Sequence, residues 1–433
     1  MSTLRIILDK SVVFGLTNAV VDSLDRYFFQ IVPPILIDEI LADLTKEAED
    51  PTIKNKISQH SYRISGNRGL PVHYRTLLAN SLMGREAPMD GRFFPAGQTT
   101  IRSTDGSIGT RIETTLEDET IARWERGAFT SEETMRAAAW RKTAEVPIYP
   151  KGYTDHIAKA GLAFEPPKNL KELVQIVDSL LQERKLQSRL FPLLARAFGI
   201  PPKSQEMNIK RWFKEGTPMF RDFAPYAFFC IRANFLWALG LTNPNLFTPD
   251  KNDRKDLEYC YYLPHCEIFV SNDKKHKRLV PLILRPDQTF VKGDDLRADL
   301  KRLSAAWDAL TREEQVRVWA ERGGAPPEDE NSIVFQLWKK HRGKIAKQIP
   351  LEMLEATVVD PTLPKEEQVS MTLADYLHSL TKDLETSTEL PYVEASKIRG
   401  TDFAVRKTRM SKDRLLKLYP QLTEADLDKS DSD

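Results

Sequence analysis

The residues of this chain whose types and spacing can do chemistry are acids at the ends of apolar runs. Asp9 closes the aliphatic run Leu4 to Leu8, and Asp273 closes a second run, EIFVSND. Glu39 lies within PPILIDEILADL, and Asp256 opens DLEYCYYLPHC. Carboxylates gathered within roughly 4–6 Å raise one another's pKa and repel unless a cation neutralises them. An all-oxygen set suits the hard ions Mg²⁺ or Mn²⁺. Such an ion orients and deprotonates water and stabilises a leaving oxygen, which is hydrolysis without a covalent enzyme intermediate.

Acids this far apart in the chain need a fold that carries them to one edge. Leu4 to Leu8 shows no alternation, so it reads as a parallel strand covered on both faces. Helical spacing follows through Val20, Val21, Leu24 and Phe28, and Ile31-Val32 reads as a second short strand. Pro33-Pro34 then opens a helix where a missing N–H costs nothing, which places Glu39 in its second turn. From Asp256 an aromatic-rich helix leads into the strand that ends near Asp273. In an open parallel sheet, ligands bind in the crevice beyond the carboxyl ends of the strands. Asp9 and Asp273 reach that crevice directly, and Glu39 and Asp256 approach it from helices. The same residues admit a structural reading, with Asp9 and Asp273 as helix caps and Glu39 and Asp256 as solvated helix acids.

In order and spacing, ILDKSVV, PPILIDEILADL and DLEYCYYLPHCEIFVSND resemble the PIN-domain family of metal-dependent nucleases. The family pattern is strand-Asp, helix-Glu, helix-Asp, strand-Asp. The longer string YYLPHCEIFVSNDKKHKRLVPLIL is similar to a group of longer bacterial PIN-like proteins with a large insertion. The resemblance implies an α/β, three-layer PIN-like core with a central parallel sheet. It implies that Asp9, Glu39, Asp256 and Asp273 are the catalytic ligands of Mg²⁺ or Mn²⁺, with Ser11, at the small polar position two after the first acid, meeting substrate. It further implies hydrolysis of phosphodiester bonds in nucleic acid, RNA ahead of DNA, in a bacterial role such as toxicity or phage defence. A regulatory protein partner and a homodimer are compatible with it. Lys10 departs from the pattern by placing a cation beside the first acid. The long stretch between Glu39 and Asp256 either supplies a substrate platform or blocks the site. The rival function is a non-catalytic PIN-like scaffold for nucleic acid or protein, which a Lys10 paired with Asp9 or Asp273 would favour. A fold without a parallel sheet would instead point to a purely structural interaction protein.

At 433 residues the chain exceeds one comfortable core, so two or three packed units are expected. They are a discontinuous core (1–50 and 251–290), an insertion (51–250) that is part hairpin and part helical, a helical C-terminal region (291–420) and an acidic flexible tail (421–433). The 41% hydrophobic and 29% charged composition is that of a globular protein. A net charge of +1 gives no overall attraction to polyanions, so any nucleic-acid contact falls to local clusters. One is Lys274, Lys275, His276, Lys277 and Arg278, directly after Asp273, read either as a substrate-binding cluster or as a solvated helix face. Another is Lys397 to Lys417.

Leu4 to Leu8 is too short for a signal-peptide core, and Phe223 to Leu241 is interrupted by Arg232 and Asn234, so it reads as a buried helix. No membrane span is expected, and Cys230, Cys260 and Cys266 read as buried reduced thiols, which points to the cytoplasm. Phosphate-cradling glycine loops and the nucleophile elbow of serine hydrolases find no match in the sequence.

Among the remaining elements, a hairpin is expected over Thr99 to Thr115 around Asp105-Gly106, and Trp124 to Trp140, rich in charge and alanine, reads as helical. A capping box at Asn169 and Glu172 starts another helix. Leu296, Leu300, Leu303, Trp307 and Leu310 mark an amphipathic helix, and the whole C-terminal third reads as helical.

Overall fold

Leu4, Ile6, Ile7 and Leu8 are at most 2% exposed, so strand β1 (Leu4–Leu8) is apolar on both faces and lies inside a covered sheet. The computed structural model describes residues 4–85, 89–102, 108–144, 147–322 and 324–342, and two strand segments, 388–389 and 403–406. Helices α1 (Lys10–Gly15) and α2 (Asn18–Tyr27) lead from β1 to β2 (Phe28–Ile31), and α3 (Pro34–Ala42) follows. The chain adds β3 (Arg68–Gly69) beyond β2, then returns much later to the other side of β1 with β6 (Ile268–Ser271) and β7 (Thr289–Lys292). The sheet order is β3-β2-β1-β6-β7 and every pairing is parallel. Helices flank this sheet, so the core is of the three-layer α/β class expected from the sequence. Among the described residues no helix is long and apolar enough to cross a membrane.

The order of strands reverses between β1 and β6, which opens a crevice at their carboxyl ends. Asp9 N–H donates to the Val270 carbonyl at 3.1 Å, tying the end of β1 to β6. Gly293 keeps this corner close-packed, because a Cβ there would lie 2.5 Å from Val12 and 2.9 Å from Asn272.

Between β3 and β6 the chain forms the hairpin β4 (Gln98–Arg102) and β5 (Ile108–Ile112), whose turn lies outside the described residues. These strands belong to a second sheet with β8 (Thr388–Glu389) and β9 (Phe403–Arg406). The C-terminal third is therefore not helical throughout: β9 pairs in parallel with β5, and the apolar alternation of Phe403 and Val405 suits a strand. The stretch from Trp124 to Trp140, read as helical, spans parts of two helices, Leu116–Glu125 and α4 (Ser131–Ala144). Gly127, at φ +73°, makes the break between them.

Asn169 does cap its helix by accepting from Glu172 N–H at 2.9 Å, but Glu172 reciprocates to Lys168 N–H rather than to the cap. The apolar segment around Arg232 is the buried helix Pro225–Gly240, and Arg232 pairs with Asp178 at 2.7 Å. One buried cluster runs from β1 through this helix to β6, so the sheet and the segment inserted before it share a core. Helix α5 (Asp253–Cys260) ends earlier than the run DLEYCYYLPHC suggests, and a 3₁₀ turn at Leu263–His265 leads into β6. Helix α6 (Lys274–Leu279) follows β6. The basic window Lys397 to Lys417, apart from 403–406, and the tail from Gln421 lie outside the described residues.

Candidate active site at the carboxyl edge of the sheet

Asp9, Glu39, Asp256 and Asp273 all line one cavity of about 420 Å³ at the carboxyl ends of β1 and β6. Each arrives by a different local device. Asp9 is the cap of α1, and its Oδ1 accepts from Val12 N–H at 3.0 Å. Asp273 caps α6, accepting from Lys275 N–H at 2.7 Å and His276 N–H at 2.9 Å. Both therefore do serve as helix caps, while also lining the cavity. Glu39 projects from α3, which starts at Pro34, and Asp256 from the first turn of α5.

The Asp9 carboxylate is held from several sides. Ser11 Oγ donates to Oδ1 at 2.6 Å, Ser271 Oγ donates to Oδ2, and His276 Nδ1 lies 3.4 Å from Oδ2. Burial alone would push this carboxyl up, but His276, Ser11 and Ser271 outweigh it and hold it below the ordinary value. The hydrogen-bond inventory fixes the imidazole's protons. His276 Nε2 faces the Asp256 carbonyl at 2.8 Å, which can only accept. Ser271 Oγ spends its proton on Asp9 and takes Asp273 N–H at 2.9 Å, so Nδ1, 2.9 Å away, must donate as well. Two donating nitrogens are the arrangement of an imidazolium, and in keeping with it, despite burial, Asp9 raises the His276 pKa well above that of an ordinary histidine.

Glu39 accepts from the Tyr259 hydroxyl at 2.6 Å. Burial raises its carboxyl, against the opposing pull of Lys10, Tyr259 and Lys255. Asp256 differs from the others: among the described residues no hydrogen bond or ion pair reaches its side chain. Burial, reinforced by Asp273 and Glu39 and opposed by His276 and Lys275, pushes its carboxyl up to about 7. Lys10 lies in the cavity but turns away from Asp9 and Asp273. Its Nζ pairs with Asp43 Oδ2 at 3.0 Å and donates to the Glu39 carbonyl at 2.9 Å. Lys46 holds the other Asp43 oxygen at 2.6 Å.

The run Lys274 to Arg278 does not form one cationic face. His276 is buried on Asp9, and Lys275 pairs with the buried Asp253. Arg278 donates to the Leu246 and Asn245 carbonyls at 2.5 and 3.0 Å. Lys274 and Lys277 are exposed. Ser11, expected to meet substrate, spends its hydroxyl proton on Asp9. Sequence reasoning did not find Asp43, Tyr259 or Ser271, nor the wall formed by Trp140 and Arg141 of α4.

No family model, curated protein or solved structure matches this chain. Carboxylate oxygens in one cavity, one of them with a strongly raised and unpaired carboxyl, suit a hard divalent cation in their chemistry. In the conformation described, however, no three His, Cys, Asp or Glu groups among the described residues stand together as a set able to hold an ion.

Proposed function

We infer that this chain is a Mg²⁺- or Mn²⁺-dependent phosphodiesterase of the PIN-like kind that acts on nucleic acid, RNA ahead of DNA. The observation that carries the reading is that acids from β1, α3, α5 and β6, distant in sequence, line one cavity at the switch point of a parallel sheet. Asp9, Glu39, Asp256 and Asp273 would hold the ion, which supplies an activated water and stabilises the leaving oxygen. The protein's own groups prepare the site. His276, Ser11 and Ser271 keep Asp9 ionised and oriented, and Tyr259 fixes the Glu39 carboxyl. The Asp256 carboxyl, raised to about 7 without an ion, would give up its proton when a cation binds, so binding should strengthen as the pH rises through neutrality. The preference for RNA rests on the sequence resemblance, and a cytoplasmic location goes with it and with the three buried thiols, Cys230, Cys260 and Cys266.

A second reading is a non-catalytic nucleic-acid or protein-binding scaffold: Lys10 occupies part of the cavity, although it pairs with Asp43 and not with Asp9 or Asp273, and among the described residues no three-group metal set stands assembled. The test separates the two. Purified protein and an Asp9→Asn, Asp273→Asn double variant are incubated with labelled RNA and single-stranded DNA, with Mn²⁺ or with EDTA. Cutting of RNA that needs Mn²⁺ and is lost in the variant is the expected result. Equal cutting by both proteins, or none by either, overturns the catalytic reading.

A further inference from the structure

A band of unpaired positive charge lies apart from the acid-lined cavity, on two packed helices, Lys151–Lys159 and Arg184–Phe198. Together they carry Lys151, Lys159, Arg184, Lys185, Arg189 and Arg196 against a single acid, Asp155. Arg196 lies across Gly152, where a Cβ would meet its Nη1 at 3.2 Å, and Arg189 donates to the Lys159 carbonyl at 3.3 Å, so the two helices run antiparallel. Lys185, Arg189 and Arg196 are spaced by four and seven residues, which puts them on one face, about 6 and 10.5 Å apart along the axis. Lys151, Lys159, Lys185, Arg189 and Arg196 are exposed, and among the described residues none of them makes an ion pair. His156 lies in this field. Burial, followed by Lys159, Arg196 and Arg189 and opposed by Asp155, holds its imidazole below the ordinary pKa. Its Nδ1 is buried with no hydrogen-bond partner. None of these residues lines the acid-lined cavity.

A row of cations about 16 Å long fits an anionic chain better than a single small ion. The protein carries such a chain: residues 421–433 hold Glu424, Asp426, Asp428, Asp431 and Asp433 with one cation, Lys429. At the roughly 3.3 Å per residue of an extended backbone, Asp426, Asp428 and Asp431 follow one another at about 7 and 10 Å, close to the steps of the cationic row. The long stems of lysine and arginine absorb the remaining offset. The connection from Arg406 to Gln421 can span up to roughly 50 Å. Exposed ion pairs are individually weak, so a separate acidic partner would be held poorly by this face. A tethered segment meets it at an effective concentration of up to the order of millimolar, which favours the chain's own acids.

We propose that the acidic segment 421–433 docks within the same molecule on the cationic face formed by helices Lys151–Lys159 and Arg184–Phe198. Asp426, Asp428 and Asp431 pair there with the row Lys185, Arg189 and Arg196, and Lys159 adds charge from the neighbouring helix. The contact is independent of the catalytic reading, since it shares no residue with the acids at the carboxyl edge of the sheet.

Carbodiimide cross-linking of the full chain, which joins a carboxylate directly to an amine, tests this. An equal mixture of unlabelled and heavy-nitrogen-labelled protein is treated at low salt and mapped by mass spectrometry, so that links within one copy are told from links between copies. Links from the acids of 421–433 to Lys185 and Lys159, within one copy, are expected. They should disappear in 1 M NaCl, where charges are screened beyond about 3 Å. An Arg189→Gln, Arg196→Gln double variant keeps both reactive lysines, and its yield of these links should fall at least about fivefold. An Asp426→Asn, Asp428→Asn, Asp431→Asn variant should lose the same links. All the substituted side chains that are described are exposed, and circular dichroism confirms the fold of each variant. A yield unchanged in the arginine variant overturns the proposal, as does the absence of any link. Links that join only different copies, or that run to the lysines between Lys397 and Lys417 instead, overturn it as well.

Discussion

His276 Nδ1 stands 3.4 Å from Asp9 Oδ2, and Ser271 Oγ bridges the two as donor to the carboxylate and acceptor from the ring. The pair joins the loops after β1 and β6, and both side chains are nearly inaccessible, at 6% and 1% exposure. It does for Asp9 what outer-shell partners do at metal sites, fixing the orientation and charge of a candidate ligand.

That pair makes a pH-dependent contribution to stability. Asp9 lies below its ordinary pKa, so its share is complete above the unfolded value of about 3.9 and fades as pH falls through the lowered one. His276 lies above its ordinary pKa, so its share is complete below about 6.5 and is lost as pH rises towards the raised value. His276→Gln should therefore cost about 2–4 kcal/mol between about pH 4 and 6.5, and progressively less above that. Urea melts of both proteins across pH 4.5 to 9 read the difference. A gap that does not shrink as the pH is raised would show that the imidazole is neutral in the fold.

Asp256 works in the opposite sense. Its carboxyl, raised to about 7, binds a proton in the fold that the unfolded chain releases near 3.9, so its ionisation costs stability as pH rises between those values. Asp256→Asn should stabilise the protein at pH 8 by up to about 4 kcal/mol and change little at pH 4. Mn²⁺ should raise the melting temperature of wild type more at pH 8 than at pH 5.5, and most of that gain should vanish in the variant. A variant less stable than wild type at pH 8 would mean that Asp256 has a cationic partner.

How much of this was legible in the sequence follows from which forces leave a local trace. Strands β1 and β6 were readable because a doubly covered strand carries uninterrupted branched and aromatic side chains, and both end at an acid. Strand β2 begins at Phe28, three residues before Ile31-Val32, because Phe28 continues the helical period of Val20, Val21 and Leu24 while its backbone pairs with Leu4. Only tertiary pairing decides that residue. Strand β3 is two residues around a buried Arg68, held by the Ile64 carbonyl and Asp118, and nothing local marks it. Within the site, the acids were found from strand ends and helix openings. Their neutralisers were not, since Lys10 reads as a lone cation until Asp43, a full helix later, is folded beside it. In the sequence His276 reads as one of the basic residues around it. Its place three after the capping Asp273 on a short helix turns it inward, and that offset was the available signal.

Lys10 offers the sharpest test of whether the cavity is built for a cation. Its ammonium sits among the acids, pairs with Asp43 and pulls the Glu39 carboxyl down against burial. Lys10→Met keeps a good helix former in α1 and removes the charge, and Asp43 retains Lys46 at 2.6 Å. Glu39 should then titrate higher still, and the cavity gains one negative charge. Even at water-like screening a unit charge at about 4 Å is worth about 1 kcal/mol, so the dissociation constant for Mn²⁺ should fall at least about fivefold. Isothermal titration of both proteins with Mn²⁺ at pH 8 reads this directly. Tighter binding in the variant means that lysine and metal compete for one set of acids. Binding that is unchanged or weaker would place the ion, if any binds, away from Glu39 and Asp43. An absence of heat in both proteins would leave the lysine as the cavity's resident cation, which is the scaffold reading.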